Sequence, residues 1–238
     1  MVSQAAGSSA GFDHLLLNRS VWRGGAPALE FEKGQPTGFA ALDLELPGGG
    51  WPRGNLAELF CAQEGIGELQ LLVPALAALS QAGKRSVWIA PPYRPYAPAL
   101  AACGINPASL AIVEAHSRGE ALWAAEQSLR GRACDALVVW LRGARYAELR
   151  RLALAAQGGG ALCVLFRPEN ETAGSSPACL RLKLAPQAGN IAVRILKRRG
   201  APLTAPLSIP IKRPVHAVAG AAPARAAARS ADVRPCLA

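Results

Sequence analysis

The amino-acid sequence predicts an α/β fold: a mostly parallel central β-sheet flanked by helices, antiparallel strands near the C-terminal end, and a flexible tail. Three observations lead to it. Short, nearly continuous apolar runs alternate with stretches of three-to-four apolar spacing between residues 55 and 166, as in strands covered by helices on both faces. CLRLKL (179–184) and IAVRIL (191–196) then change to period-two alternation, joined by the turn-like APQAGN. Beyond about Ile211, Pro, Ala and Arg recur without a period. With 238 residues, 51% of them hydrophobic and 18% charged, the chain can bury one sizeable core.

In chain order, residues 1–11 are small and polar, a frayed terminus. FDHLLLNRSVW (12–22) is an apolar cluster before Arg23-Gly24-Gly25, so residues 1–36 read as a docking segment and linker. Residues 37–54 supply a short helix and a Gly/Pro-rich turn. Strands are predicted at 55–60, 86–90, 111–114, 136–141 and 161–166. Leu69, Leu72, Leu76 and Leu79 mark a helix over 69–80 that Pro74 bends or forces to start late. A second helix runs from Pro98 to Cys103 and stops at Gly104. Leu122, Ala125 and Leu129 mark 120–130; Leu149, Leu152 and Ala156 mark 146–157, which ends at three glycines. On the first alternating strand, Leu180, Leu182 and Leu184 face the core while Arg181 and Lys183 face away. The core spans 37–212 and the basic tail 213–238.

The formal charge is +10, and it is concentrated at the end. Residues 191–238 hold nine basic side chains and one acid, Asp232, while the rest is nearly balanced. Such a block attracts nucleic acid or an acidic protein surface, or else reflects a composition in which Arg covers solvated faces. Six scattered cysteines without a C-x₂-C pair, and three histidines, indicate neither a zinc site nor a disulfide framework. Without a secretory pattern or a membrane-length apolar run, a soluble cytoplasmic protein is expected.

The stretch GNLAELFCAQEGIGELQLLVPALAALS (54–80) has the strand, glycine loop and helix of a P-loop. Such a loop ends in Gly-Lys-Ser/Thr, the lysine reaching the phosphates and the hydroxyl holding Mg²⁺. Here Gly65 and Gly67 keep the turn, but Glu68 and Leu69 take the lysine and hydroxyl places. An ungapped alignment puts Gly67 and Glu68 there instead. The order of segments from about Thr37 to Pro202 resembles a RecA-type ATPase core. In that pattern an acid orients the attacking water where this chain reads Ala90-Pro91-Pro92. The Walker B strand should end in an acid but ends in Trp140-Leu141, with Asp135 at its other end. Phosphoryl transfer needs these groups together, so no catalysis, cofactor or metal is expected, and the loop reads first as a structural turn and second as a protein-binding loop.

VWRGG (21–25), ELPGGGWPRGNLAEL (45–59), GIGELQLLVPALA (65–77), VWIAPPYRPYAPAL (87–100), LWAAEQSLR (122–130) and RILKRRGAP (194–202) resemble ImuA, a RecA-related accessory family of bacterial damage-response cassettes. The resemblance implies an SOS-inducible adaptor in mutagenic translesion DNA synthesis. It would contact ImuB, a degenerate Y-family polymerase relative, and RecA, and would meet the error-prone replicative-type polymerase indirectly. The competing resemblance is to SulA, the damage-induced division inhibitor that binds FtsZ. SulA-like chains are shorter and lack the 136–202 portion, and WRGG also favours ImuA.

The candidate DNA- or partner-binding residues are Arg194, Lys197, Arg198 and Arg199 at the last strand's end, with Trp22, Arg23, Trp51 and Arg53. The four basic residues read equally as a solvated edge that discourages strand pairing. Trp51 reads first as packed on the core and second as an interface anchor. RGARYAE (142–148) and RPENETAGSSPA (167–178) correspond in order to the DNA-contacting loops of RecA filaments. Both are short, and Glu169 and Glu171 repel phosphate, so any direct DNA binding is expected to be weak and salt-sensitive. Self-association is left open, as is partner binding by the tail.

Overall fold

The computed structural model describes residues 33–200 and 205–211. Trp22, Arg23, the 12–22 segment and the 213–238 tail lie outside the described residues. Gln35 and Trp51 form an antiparallel bridge, each N–H donating to the other's carbonyl at 2.8 and 2.7 Å. A Cβ on Gly50 would lie 2.2 Å from the Gln35 carbonyl oxygen, so only glycine allows this approach. Helix α1 (Ala40–Glu45) follows. Its start is organised by Thr37, whose N–H donates to Asp43 Oδ1 at 2.8 Å and whose Oγ1 accepts from Phe39 N–H at 3.1 Å.

Strand β1 (Asn55–Cys61) leads into a 3₁₀ turn (Glu68–Leu71) and then helix α2 (Val73–Gln81). Pro74 falls in the first turn of α2, where its missing N–H costs no hydrogen bond, so the late start is the observed outcome. The chain continues through β2 (Ser86–Ile89), α3 (Ala97–Ala102), β3 (Leu110–Val113), α4 (Arg118–Arg130), β4 (Ala136–Trp140), α5 (Tyr146–Gln157) and β5 (Leu162–Pro168). Ser117 caps α4 by accepting from Glu120 N–H at 3.2 Å, which explains a start before the apolar repeat. β6 (Leu180–Gln187), β7 (Asn190–Lys197) and β8 (Leu207–Pro210) complete the sheet.

The eight described strands lie in the order β3-β2-β4-β5-β1-β6-β7-β8. The first six in that order run parallel; β7 and β8 are antiparallel additions. One face buries Leu59, Trp88, Val164 and Leu182 with Leu72 and Leu76 of α2. The other buries Leu137, Val139 and Leu165 with Leu129 of α4 and Leu149 and Leu152 of α5. Leu180, Leu182 and Leu184 enter the first core as the alternation requires. Strand β8 has no counterpart in the sequence reading. It pairs with β7 only over Asn190–Val193, so Arg194 and Lys197 lie on the part of β7 beyond that pairing.

Candidate functional site

Chain reversals across the sheet open a crevice over the carboxyl ends of β1, β2, β4 and β5, the usual ligand position of open α/β sheets. Its volume is about 360 Å³, and it is lined by Cys61, Glu64, Glu68, Ala90, Pro92, Trp140, Arg142, Phe166 and Pro168, among others. Trp140 stacks on Phe166 at 5.2 Å between ring centroids in the crevice wall and tilts against the buried Trp88 at 5.9 Å. The three places that the sequence comparison with RecA singled out therefore converge here. They are the loop after β1, the turn after β2 and the end of β4.

The loop after β1 answers its own anion need. Gly67 adopts φ 98°, a left-handed conformation suited to glycine, and starts the 3₁₀ turn. That brings Glu68 back over the loop, where its Oε1 accepts from Gly65 N–H at 3.1 Å. The side chain thus meets a backbone amide of the kind that holds phosphate in a P-loop. Glu68 is buried, and its Oε2 has no hydrogen-bond partner. Leu69 packs against the core. Burial, then the charges of Glu68, Glu169 and Glu64, push the Cys61 thiol up to about 12, which reports a negative local field. Arg142 offsets part of it through an ion pair with Glu64. After β2, Ala90 holds φ 50°, a strained value for a residue with a Cβ.

Arg167, which also lines the crevice, anchors a charge network that sequence reasoning missed. Glu58, fully buried on β1, pairs with Arg167 of β5 and with Arg181 of β6, the latter at 2.8 Å. Both guanidinium groups lie over the Phe60 ring, Arg181 at 4.8 Å and Arg167 at 5.5 Å. Arg167 also pairs with Glu171 at 2.6 Å, and Glu171 accepts from Gly143 N–H at 2.7 Å. The loops after β4 and β5 are thereby fastened to each other and to the sheet. The signal was present in sequence: one acid inside an apolar strand, with arginines inside two others.

The basic set divides. Arg194 and Arg199 are exposed. Lys197 donates to the Ser176 carbonyl at 3.0 Å, and Arg198 is held by Glu45 of α1 through its carboxylate at 2.7 Å and its carbonyl. Trp51 is fully buried and has no surface to offer a partner; burial beside the Gln35 bridge is the reason. Arg53 is half-buried and donates to the Gly160 carbonyl at 2.9 Å, tying the turn before β1 to the end of α5. Of the two loop acids expected to repel phosphate, Glu169 pairs with Lys183 at 2.5 Å and Glu171 with Arg167. Among the described residues no group of three or more His, Cys, Asp or Glu side chains is placed to hold a metal, and no helix is long and apolar enough to cross a membrane.

No family model matches the chain. Proteins of known name do. The cell division inhibitor SulA of Edwardsiella piscicida is 32% identical over 124 residues, covering 50% of this chain and 74% of that protein. RecA of Porphyromonas gingivalis is 34% identical over 118 residues, 48% of this chain but 34% of RecA. RecA of Bacteroides thetaiotaomicron is 32% identical over 123 residues, covering 36% of its length. The chain thus spans about a third of the RecA proteins it matches. A crystal structure of SulA from Pseudomonas aeruginosa is 28% identical, covering 48% of this chain and 97% of that one, at a TM-score of 0.41. With 32% identity across nearly three quarters of a SulA protein, the chain belongs to the SulA family of RecA-like proteins.

Proposed function

We propose that this protein is a non-catalytic, cytoplasmic adaptor of the SOS-inducible translesion DNA synthesis complex, contacting ImuB and RecA. Kinship with both SulA and RecA supports a role in the DNA-damage response. The observation that carries the non-catalytic part is Glu68. Its carboxyl is hydrogen-bonded inside the loop that would cradle phosphate, in a crevice that Glu64 also lines. A carboxylate about 4 Å from a phosphate oxygen opposes binding by about 4 kcal/mol at a surface-like dielectric, roughly a thousandfold in affinity. The ImuA-like segments on both sides of this crevice support the translesion assignment.

A second reading, inhibition of cell division by binding FtsZ, is favoured by the 32% identity to SulA. Half of this chain lies outside that match. Pull-down of the tagged chain from damage-treated cells, followed by pairwise binding of purified proteins, separates them. Recovery of ImuB or RecA without FtsZ is expected. Recovery of FtsZ alone, with filamentation on expression, would give the place to the division inhibitor.

A further inference from the structure

We propose that the crevice over β1, β4 and β5 is a receptor for a cationic side chain, an arginine or lysine flanked by apolar residues, presented by a segment of a partner protein. The inference deepens the adaptor reading and rests on it, while its test does not depend on which proteins are recovered from cells. The first argument is an unmet demand. Glu68 is 7% exposed and lines the crevice, one oxygen engaged by Gly65 N–H and the other buried without a donor. A buried acceptor without a donor is costly, and a donor brought by a partner removes that cost. The last torsion of a glutamate side chain is soft, so the free oxygen can turn toward an incoming N–H.

The second argument is the shape and charge of the walls. Trp140, Phe166, Pro92 and Pro168 supply apolar and aromatic surface, suited to the methylene stem of Arg or Lys and to a planar guanidinium. Glu64 and Glu68 line the crevice opposite two arginines, Arg142 and Arg167. Arg167 is already held by Glu58 and Glu171, and Glu68 has no cation partner, so the carboxylate a cation would meet is Glu68. Arg142 bridges to Glu64 at the mouth with 75% of its side chain exposed, so an incoming cation can displace it. The third argument is the rim. The loop that supplies Pro92 also carries Tyr93 and Tyr96, 70% and 71% exposed, and exposed tyrosines beside a pocket are favoured anchors at interfaces. A basic, apolar-flanked peptide fits all three features.

The test pans a random twelve-residue peptide display library on the purified full chain, then measures synthetic versions of enriched peptides by fluorescence anisotropy. The expected result is enrichment of peptides with Arg or Lys beside an apolar residue. Replacing that basic residue by norleucine, or Glu68→Gln in the protein, should weaken binding at least tenfold. If Glu68→Gln does not fold, the amide resonances of Gly65 and Gly67 in the unaltered chain carry the test, and they should shift on peptide addition. No enrichment, peptides without a basic residue, equal binding by Glu68→Gln, or unmoved glycine amides would each overturn the proposal. A peptide of residues 212–223 binding as tightly as the selected ones would also overturn a partner as the occupant.

Discussion

Removing the buried carboxyl of Glu58 should be among the most damaging single changes in this protein. Glu58 is fully buried, and the side chains of Arg167 and Arg181 that meet it are only 4% and 11% exposed. Glu58→Ala leaves two guanidinium groups in the interior with Glu171 as the remaining carboxylate within the network, and Glu171 reaches only Arg167. Breaking a buried pair in this way costs about 3–5 kcal/mol, a large part of the roughly 5–15 kcal/mol that holds a domain folded. With a urea slope of about 2 kcal/mol/M, the unfolding midpoint should fall by about 1.5–2.5 M. Glu58→Gln keeps an acceptor but loses the charge and should cost about 1.5–3 kcal/mol. The assay is equilibrium urea unfolding of each purified variant, combined with Arg181→Met in a double-mutant cycle. A loss under about 1 kcal/mol for Glu58→Ala, or additivity within about 0.3–0.5 kcal/mol in the cycle, would refute the reasoning.

Three further outcomes are expected. Gly67→Ala places a Cβ at φ 98° and 2.5 Å from Ile211 Cδ1, so it should lower stability by about 1–2 kcal/mol in thermal or urea unfolding. Trp51→Ala should cost about 3–5 kcal/mol because it empties a fully buried site, whereas Trp123→Ala, at a side chain 66% exposed, should stay within about 0.5 kcal/mol. Burial raises the Cys61 and Cys134 thiols from 9.0 to about 12 and about 11. Their contribution to stability is therefore complete below pH 9 and is lost as pH rises through the folded values, since the unfolded chain ionises first. Thermal midpoints measured from pH 7 to pH 11.5 should fall along this alkaline limb, and less steeply for Cys61→Ala.

Local signals made most of the fold legible. The apolar repeat of α5 and the glycines that end it placed that helix at 146–157 without error, because amphipathic spacing and a stop signal agree. Pro74 foretold the late start of α2 for a reason internal to the chain. Strand β8 escaped because four residues bounded by prolines carry little periodicity, and its partner β7 fixes it. The Glu58 network escaped for a different reason. Its members are 109 and 123 residues apart, and only the insertion of β1 between β5 and β6 brings them together. At the crevice, the missing lysine, hydroxyl and acids were readable in sequence, but the hydrogen bond from Gly65 to Glu68 needed the fold of the loop. Arg198 likewise read as an exposed cation until α1 supplied Glu45.

The central claim is that this RecA-like crevice has exchanged phosphate for its own carboxyl. Titration of the purified full chain with a fluorescent ATP analogue and Mg²⁺, to millimolar concentration, tests it most directly. No saturable binding is expected, and Glu68→Ala should not remove any signal that is present. Saturable micromolar binding that disappears on altering Gly65, Gly67 or Glu68 would contradict the account and return the crevice to a nucleotide.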